Sequence, residues 1–420
     1  MGTFEDVLEQ SSRKPGGPAP FLTKRRPPHQ STRRASYTDL ANGLWDLELH
    51  PVEDLEQVRD EIKALAGRAL DPNLFFEPTA LDAFWPRMKV TLKIQEPLLL
   101  CLYEYAGSER NLRLFMPVAS TNTGFPSKHV LQILATDFLP DGTPLLDPSA
   151  PEETCQILFQ TLCDPALQLP AIIDFRFLRT ESPTAKFLFK AAGSLDLQSD
   201  ASNRHQRASL GQTSCEMTKK RRKEQARQRR RLGELGELTF HSTRAPCAMI
   251  DCFENHLALE LSGWKGRRGT ALYNNKSSAS FSRHFVGELA KEGICEISSL
   301  KLDDRTIASL VLLGTDPRVL TWKIAYDETL SAYSPGVQLA LHVTSQLQQR
   351  KDFQLADSLA VANHPMIDHL WHERISITDW TVALNENANK SLAKTIASKN
   401  RYERLRAPLS YLRRKFEKRF

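Results

Sequence analysis

Val319-Leu-Thr-Trp-Lys-Ile-Ala-Tyr-Asp-Glu-Thr-Leu-Ser-Ala-Tyr-Ser-Pro-Gly-Val337 is the stretch on which the fold of this 420-residue chain turns. Val319–Tyr326 reads as a strand and Asp327–Ser334 as a loop. Pro335-Gly336 then opens a helix that runs to Arg350, before a further strand at Phe353–Leu359. A helix that opens soon after a strand offers unpaired backbone N–H groups and the positive end of a dipole, which suits a phosphate or pyrophosphate. Pro335 belongs in the first turn, where its missing N–H costs nothing. Gly336 allows a ligand close approach to the backbone. Neither G-x-x-x-x-G-K-[ST] nor G-x-G-x-x-G stands here, so ATPase and dinucleotide readings lack their fingerprint.

Upstream, Leu257-Ala-Leu-Glu-Leu-Ser-Gly-Trp-Lys-Gly-Arg-Arg-Gly-Thr-Ala-Leu272 reads as the end of an amphipathic helix, Ala248–Trp264, followed by a cationic turn. Phe253, Leu257, Leu261 and Trp264 fall on one helical face. Glu260 falls on the same stripe, about 20° from Phe253. A carboxylate there must be paired, be hydrogen-bonded or open onto a cleft, because an unpartnered buried charge is very costly. A helix cap with a salt-bridged glutamate and a functional acid are both consistent with this pattern.

Composition bounds the remainder. A hydrophobic fraction of 41 % and a charged fraction of 25 % are those of a soluble globular protein. Seven irregularly spaced cysteines suggest reduced thiols in a cytoplasmic protein, and no secretory leader is visible. The net charge of +6 is uneven: residues 1–36, 219–231 and 399–420 carry +4, +8 and +7, which leaves the rest at −13. An acidic body with basic segments weakens any inference from charge to a nucleic-acid-binding fold. Solvated basic segments instead touch anionic membrane surfaces or nucleic acid loosely. His364, His369 and His372 lack an acidic or Cys partner at ligand spacing, so no metal is expected.

The order of elements implies two mixed α/β regions. Residues 1–41 read as a disordered basic segment, 42–195 as a first α/β domain, and 196–237 as a polar linker with an Arg-rich helix. Residues 238–386 read as a second α/β domain and 387–420 as a basic, helical tail in which Tyr411, Leu412 and Phe416 are apolar enough to dock.

The second region resembles the CelD/BcsL-type acetyltransferases, a branch of the GNAT superfamily related in architecture to the Fem aminoacyltransferases. The matching residues are Glu260, Trp264-Lys265-Gly266 and Gly269-Thr270-Ala271, then Ala325-Tyr326-Asp327-Glu328, Ser334-Pro335-Gly336 and Asp357. The first region is matched through Phe75–Leu81 and Gly142-Thr-Pro-Leu-Leu146. The resemblance implies a tandem GNAT-like α/β fold with an acyl-CoA, acetyl-CoA above all, as co-substrate in the second half, and an unidentified amine or hydroxyl acceptor in polysaccharide or cell-envelope biosynthesis. In such chemistry the acceptor attacks the thioester directly, so the protein must align the substrates, polarise the carbonyl and remove a proton.

Carried over by position, Ser334, Pro335 and Gly336 would bind the pyrophosphate and Tyr326 would flank the cofactor. Glu260 or Asp357 would be the base, and Trp264, Lys265 and Asp327 would contact substrate. The chain departs from the wider superfamily in lacking its Q/R-x-x-G-x-G/A loop. It also has Asn363-His364-Pro365-Met366 where many relatives carry a Tyr-Lys pair. Two other readings stand beside this one: a Fem-like transferase that takes an aminoacyl group from tRNA through the basic helix, and a non-enzymatic scaffold of a polysaccharide synthesis system.

Overall fold

The computed structural model describes residues 32–39, 43–92, 94, 96–106, 109–123, 128–212 and 218–397. The docking residues expected at 411–416 lie outside the described residues.

The chain begins with β1 (Arg33–Asp39) and β2 (Gly43–Pro51), followed by α1 (Leu55–Ala66) and α2 (Pro78–Met88). Next come β3 (Leu98–Ala106), β4 (Glu109–Thr123), β5 (Lys128–Ile133) and the short β6 (Leu145–Leu146). The first half closes with α3 (Pro151–Leu162), β7 (Ile172–Arg179), α4 (Pro183–Ser194) and β8 (Ser199–Leu210). After the Arg-rich α5 (Lys219–Gly233) the second half opens with β9 (Leu238–Thr243), α6 (Pro246–Ser262), the four-residue α7 (Trp264–Arg267) and α8 (Lys276–Lys291). It continues through β10 (Cys295–Leu302), β11 (Arg305–Leu313), β12 (Arg318–Tyr326), α9 (Pro335–Gln348), β13 (Leu355–Asp357) and β14 (Glu373–Ala383).

All strands share one sheet, in the order β1-β2-β3-β4-β5-β7-β14-β8-β13-β12-β11-β10-β9, with β6 on the side of β4. Read from the two ends inward, the order repeats. The series β2, β3, β4, β5, β7 has its counterpart in β9, β10, β11, β12, β13. The parallel pairs β5–β7 and β12–β13 fall at the same place in each half. At the centre the halves trade their last strands: β14 pairs with β7, and β8 pairs with β13. Helices α2 and α8, which occupy equivalent places, pack on each other, with Phe84 edge-on to Phe281 at 5.3 Å. This is a tandem α/β architecture.

Two segments read as irregular are strands. Arg33–Asp39, inside the segment expected to lack structure, pairs with β2 along its full length, burying Ala35 and setting Arg34 against Asp46. Ser199–Leu210, assigned to a polar linker, is β8. Its polar composition misleads because its neighbours supply the partners. Thr378 Oγ1 donates to Ser202 O at 2.9 Å, and Asn203 Nδ2 donates to the buried Asp379 carboxylate at 2.9 Å.

Candidate active site

The site grows out of the β12–β13 pair. Their parallel pairing runs from Arg318–Leu355 to Leu320–Asp357 and stops there. Beyond it Thr321 Oγ1 donates to Ser358 O at 3.1 Å, and the strands diverge around a cavity of about 140 Å³. Thr321–Ile324 line one wall and Ser358–Ala360 the other, closed by Ala340 of α9, by His364, Met366 and Ile367, by Trp371, and by Lys265. A bulge in β12 shapes the first wall: Val311 pairs with Lys323 and Leu312 with Thr321, so Trp322 is the extra residue. The first half also reaches this wall, because Trp322 Nε1 donates to Phe138 O at 3.1 Å.

At the end of β12, Tyr326 lies against the start of α9. A Cβ added at Gly336 would come within 2.9 Å of Tyr326 Cδ1, so only glycine leaves this contact and the backbone open. Ser334 takes the left-handed conformation (φ 53°, ψ 52°) that swings the chain into the helix, and Pro335 is its first residue. The N–H groups of Gly336 and Val337 then lie in the first turn, where a helix has no carbonyl to offer them. The equivalent helix start in the first half is unsuited to an anion. There Asp147, held by Arg68 and Arg113, precedes α3, and Glu152 and Glu153 fill its first turn.

Glu260 and Lys265 meet at the cavity. Phe253, Leu257 and Glu260 are all buried on α6, whereas Leu261 and Trp264, expected on the same stripe, are exposed (37 % and 43 %). The helix ends at Ser262, so the spacing that predicts burial of Trp264 no longer applies. The Gly266 backbone packs back on Leu261, where a Cβ would lie 1.6 Å from its carbonyl oxygen. That tight turn brings Lys265 Nζ to 2.7 Å from Glu260 Oε1 and 3.5 Å from Ile324 O, while Glu260 Oε2 accepts from Leu272 N at 2.7 Å. Burial alone would raise the Glu260 carboxyl, but Lys265 and the Leu272 N–H hold it below the usual range. One turn earlier His256 touches Ser309 Oγ at 3.1 Å, and its Nε2 has no hydrogen-bond partner. Burial pushes this imidazole down to about 4.

The remaining expected site residues sit around this centre or beyond it. Trp264 is capped by the Arg268 guanidinium, 4.8 Å from its ring, and its backbone N–H donates to Glu328 Oε1 at 2.6 Å. Asp327 caps the turn after β12 through Thr329 N at 2.9 Å and pairs with Arg305 at 3.1 Å. Asp357 is fully buried. Its Oδ2 lies 2.6 Å from Arg207 Nη2 and 3.4 Å from Arg318 Nη2, and its Oδ1 accepts from Leu359 N at 3.0 Å. Sequence reasoning missed Lys323 and Ser358 on the cavity walls and gave His364 no part in the cleft. The signal was present for Lys323: a lysine interrupts the apolar run of a core strand.

The Arg-rich α5 packs beside the start of α9. Gln338, in the first turns of α9, donates to Gln225 O at 3.0 Å, and the Arg231 guanidinium lies 5.5 Å from the Tyr333 ring beside Ser334. Lys219, Lys220, Arg222, Lys223, Arg229 and Arg230 are exposed along this helix.

A splayed parallel pair, a bulged strand and a helix that starts just after that strand make a GNAT-like α/β layout, which the sheet repeats in its two halves. Residues 219–363 match the family model described as an acetyltransferase (GNAT) domain. Among solved structures, the chain is similar to FemX at 9 % identity, over 80 % of this chain and 98 % of that one, with a TM-score of 0.52, which bears on the fold alone. It is also similar to L-PGS from Bacillus licheniformis (11 % identity, 80 % and 99 % covered, TM-score 0.43). A tandem GNAT protein from the clavulanic acid biosynthesis pathway is similar at 12 % identity, with 81 % and 99 % covered and a TM-score of 0.37. No curated protein matches the chain. No helix among the described residues is long and apolar enough to cross a membrane.

Proposed function

We propose that the second half, residues 238–386, binds an acyl-CoA in the wedge between β12 and β13 and transfers its acyl group, acetyl above all, to an amine or hydroxyl acceptor. The observation that carries this reading is the end of parallel pairing at Leu320–Asp357, which opens a cavity lined on one side by Ala340 of α9, the helix that Pro335 and Gly336 begin. The Gly336 and Val337 N–H groups would hold the pyrophosphate, and Tyr326 would flank the chain of the cofactor. The carbonyl would be polarised by backbone N–H groups freed along β12. Lys265, tied to Glu260, would face the acceptor.

Of the two carboxylates expected as base, Asp357 is ion-paired with Arg207 and Arg318, and Glu260 is held ionised by Lys265 and the Leu272 N–H. Asp357 is therefore a positioning residue for β13 in this reading. Glu260 orients Lys265 and takes a proton only if that pair opens.

The resemblance to the CelD/BcsL-type enzymes supports an acceptor from polysaccharide or cell-envelope biosynthesis, and the irregularly spaced cysteines support a cytoplasmic enzyme. The first half, Arg33–Leu210, would serve as a companion that lends Phe138 to the cleft. A native mass spectrum of the purified protein tests the donor: a non-covalent adduct at the mass of CoA or an acyl-CoA supports it, and a bare chain that takes up no added CoA opposes it.

One observation favours a second reading, in which the donor is an aminoacyl-RNA. The exposed cations of α5 stand on a helix that packs beside the start of α9 through the Gln225–Gln338 contact. RNA binding that falls steeply with salt and is lost on neutralising Arg227, Arg229, Arg230 and Arg231 would support it.

A further inference from the structure

We infer that the cleft recognises a carboxylate, carried by the acyl chain or by the acceptor, through Lys323; this deepens the acyl-CoA reading of the same cleft and rests on it. Lys323 stands on the cavity wall next to the β12 bulge. Its neighbour Lys265 is committed to Glu260 at 2.7 Å and to Ile324 O at 3.5 Å. Lys323 itself makes no hydrogen bond or ion pair with any described residue. Its one ring contact is with Trp322, at 5.5 Å.

The charged groups that face Lys323 are Lys265, Glu260 and Asp137. Lys265 repels it. Glu260 is already neutralised by Lys265. Asp137 is exposed, on the loop of the first half that meets Trp322. Across the cavity, His364 Nδ1 accepts from Met366 N and Ile367 N, both at 3.3 Å, and burial keeps the ring neutral by lowering its pKa. Lys323 is therefore the cavity's cation that no described side chain pairs with directly, beside the apolar walls of Leu310, Ala340, Ala360 and Trp371.

Lys323 is half-buried and its ammonium has no partner among the described residues, so a ligand carboxylate in the cavity can form a charge-assisted hydrogen bond with it. Burial, reinforced by Lys265, pushes the Lys323 ammonium down to about 8. It is charged at neutral pH and loses its charge not far above, so carboxylate recognition fades as the pH rises past that point.

Calorimetry at pH 7 on the full chain tests this in two arms. One compares malonyl-CoA and succinyl-CoA with acetyl-CoA. The other titrates CoA-saturated protein with glucuronate and with glucose. A carboxylate in one arm should bind about ten-fold or more tighter than its neutral counterpart, as a charge-assisted contact requires. The arm that shows the preference identifies the source. Lys323→Met should remove the preference while acetyl-CoA still binds, Lys323→Arg should retain it, and the wild type should lose most of it at pH 9. Equal affinities in both arms, or a preference that survives in Lys323→Met, would overturn the inference and leave the acyl-CoA reading standing. Failure of acetyl-CoA and CoA to bind at all would remove both.

Discussion

Arg207 on β8, the last strand of the first half, donates a 2.6 Å hydrogen bond to the Asp357 carboxylate on β13 of the second half, and both side chains are withdrawn from solvent. Around them Arg179 pairs with Asp141 at 2.9 Å and with Asp71 at 3.3 Å, and Arg318 bridges Asp141 and Asp357 at 3.4 Å to each. Burial alone would raise the Asp141 carboxyl, but Arg179, Arg318 and Arg207 hold it below the usual range. The cluster ties the exchanged strand β8 to β12 and β13 of the second half, and to β7, where the cleft begins. Removing one member leaves buried charge uncompensated, so Asp357→Asn should cost about 3–5 kcal/mol. Thermal unfolding should show a Tm lower by several degrees. An unchanged Tm together with lost turnover would instead make Asp357 a catalytic group.

Glu260 and Lys265 should be energetically coupled. Glu260→Ala and Lys265→Met should each destabilise, and the double variant should lose less than the sum, by about 1–3 kcal/mol. Urea unfolding of the four proteins measures this. Additive losses would mean that the 2.7 Å contact contributes no coupling.

The first half should bind no acyl-CoA of its own. Asp147, Glu152 and Glu153 surround the start of α3, where the second half has Ser334, Pro335 and Gly336. Saturation should therefore come at one acetyl-CoA per chain. A stoichiometry of two would show that the acidic helix start is no barrier.

Acid stability should depend on His256. Its imidazole stays neutral in the fold down to about pH 4, whereas in the unfolded chain it takes a proton near 6.5. Between those values the unfolded state binds more protons, so stability falls as the pH drops through the window and is fully present above it. One such group contributes about 1.4 kcal/mol per pH unit. Between pH 7.5 and 5 the wild type should lose about 2 kcal/mol more than His256→Gln. Equal losses would show that the folded protein protonates this ring.

The fold was legible where residue type constrains the backbone. Pro335-Gly336 after an apolar strand marked the helix start, and Glu260 on an apolar stripe required a partner, which the Gly266 turn supplies in Lys265. Strand exchange was not legible. Ser199–Leu210 looks like a linker because the partners of its polar residues, Thr378 and Asp379, lie about 175 residues away, and no local pattern encodes such a pairing. The role of Asp357 was hidden for the same reason: its partner Arg207 lies 150 residues away. Trp264 misled because helical spacing was extended past the true end of α6.

The central claim is that the Ser334-Pro335-Gly336 helix start holds the phosphates of an acyl-CoA, and calorimetric titration of acetyl-CoA into wild type and Gly336→Glu tests it most directly. The account predicts saturable heat with wild type and none with the variant, whose side chain would press on Tyr326 and place a negative charge at the helix start while the fold, checked by circular dichroism, persists. Equal binding by both proteins, or none by the wild type, would contradict it.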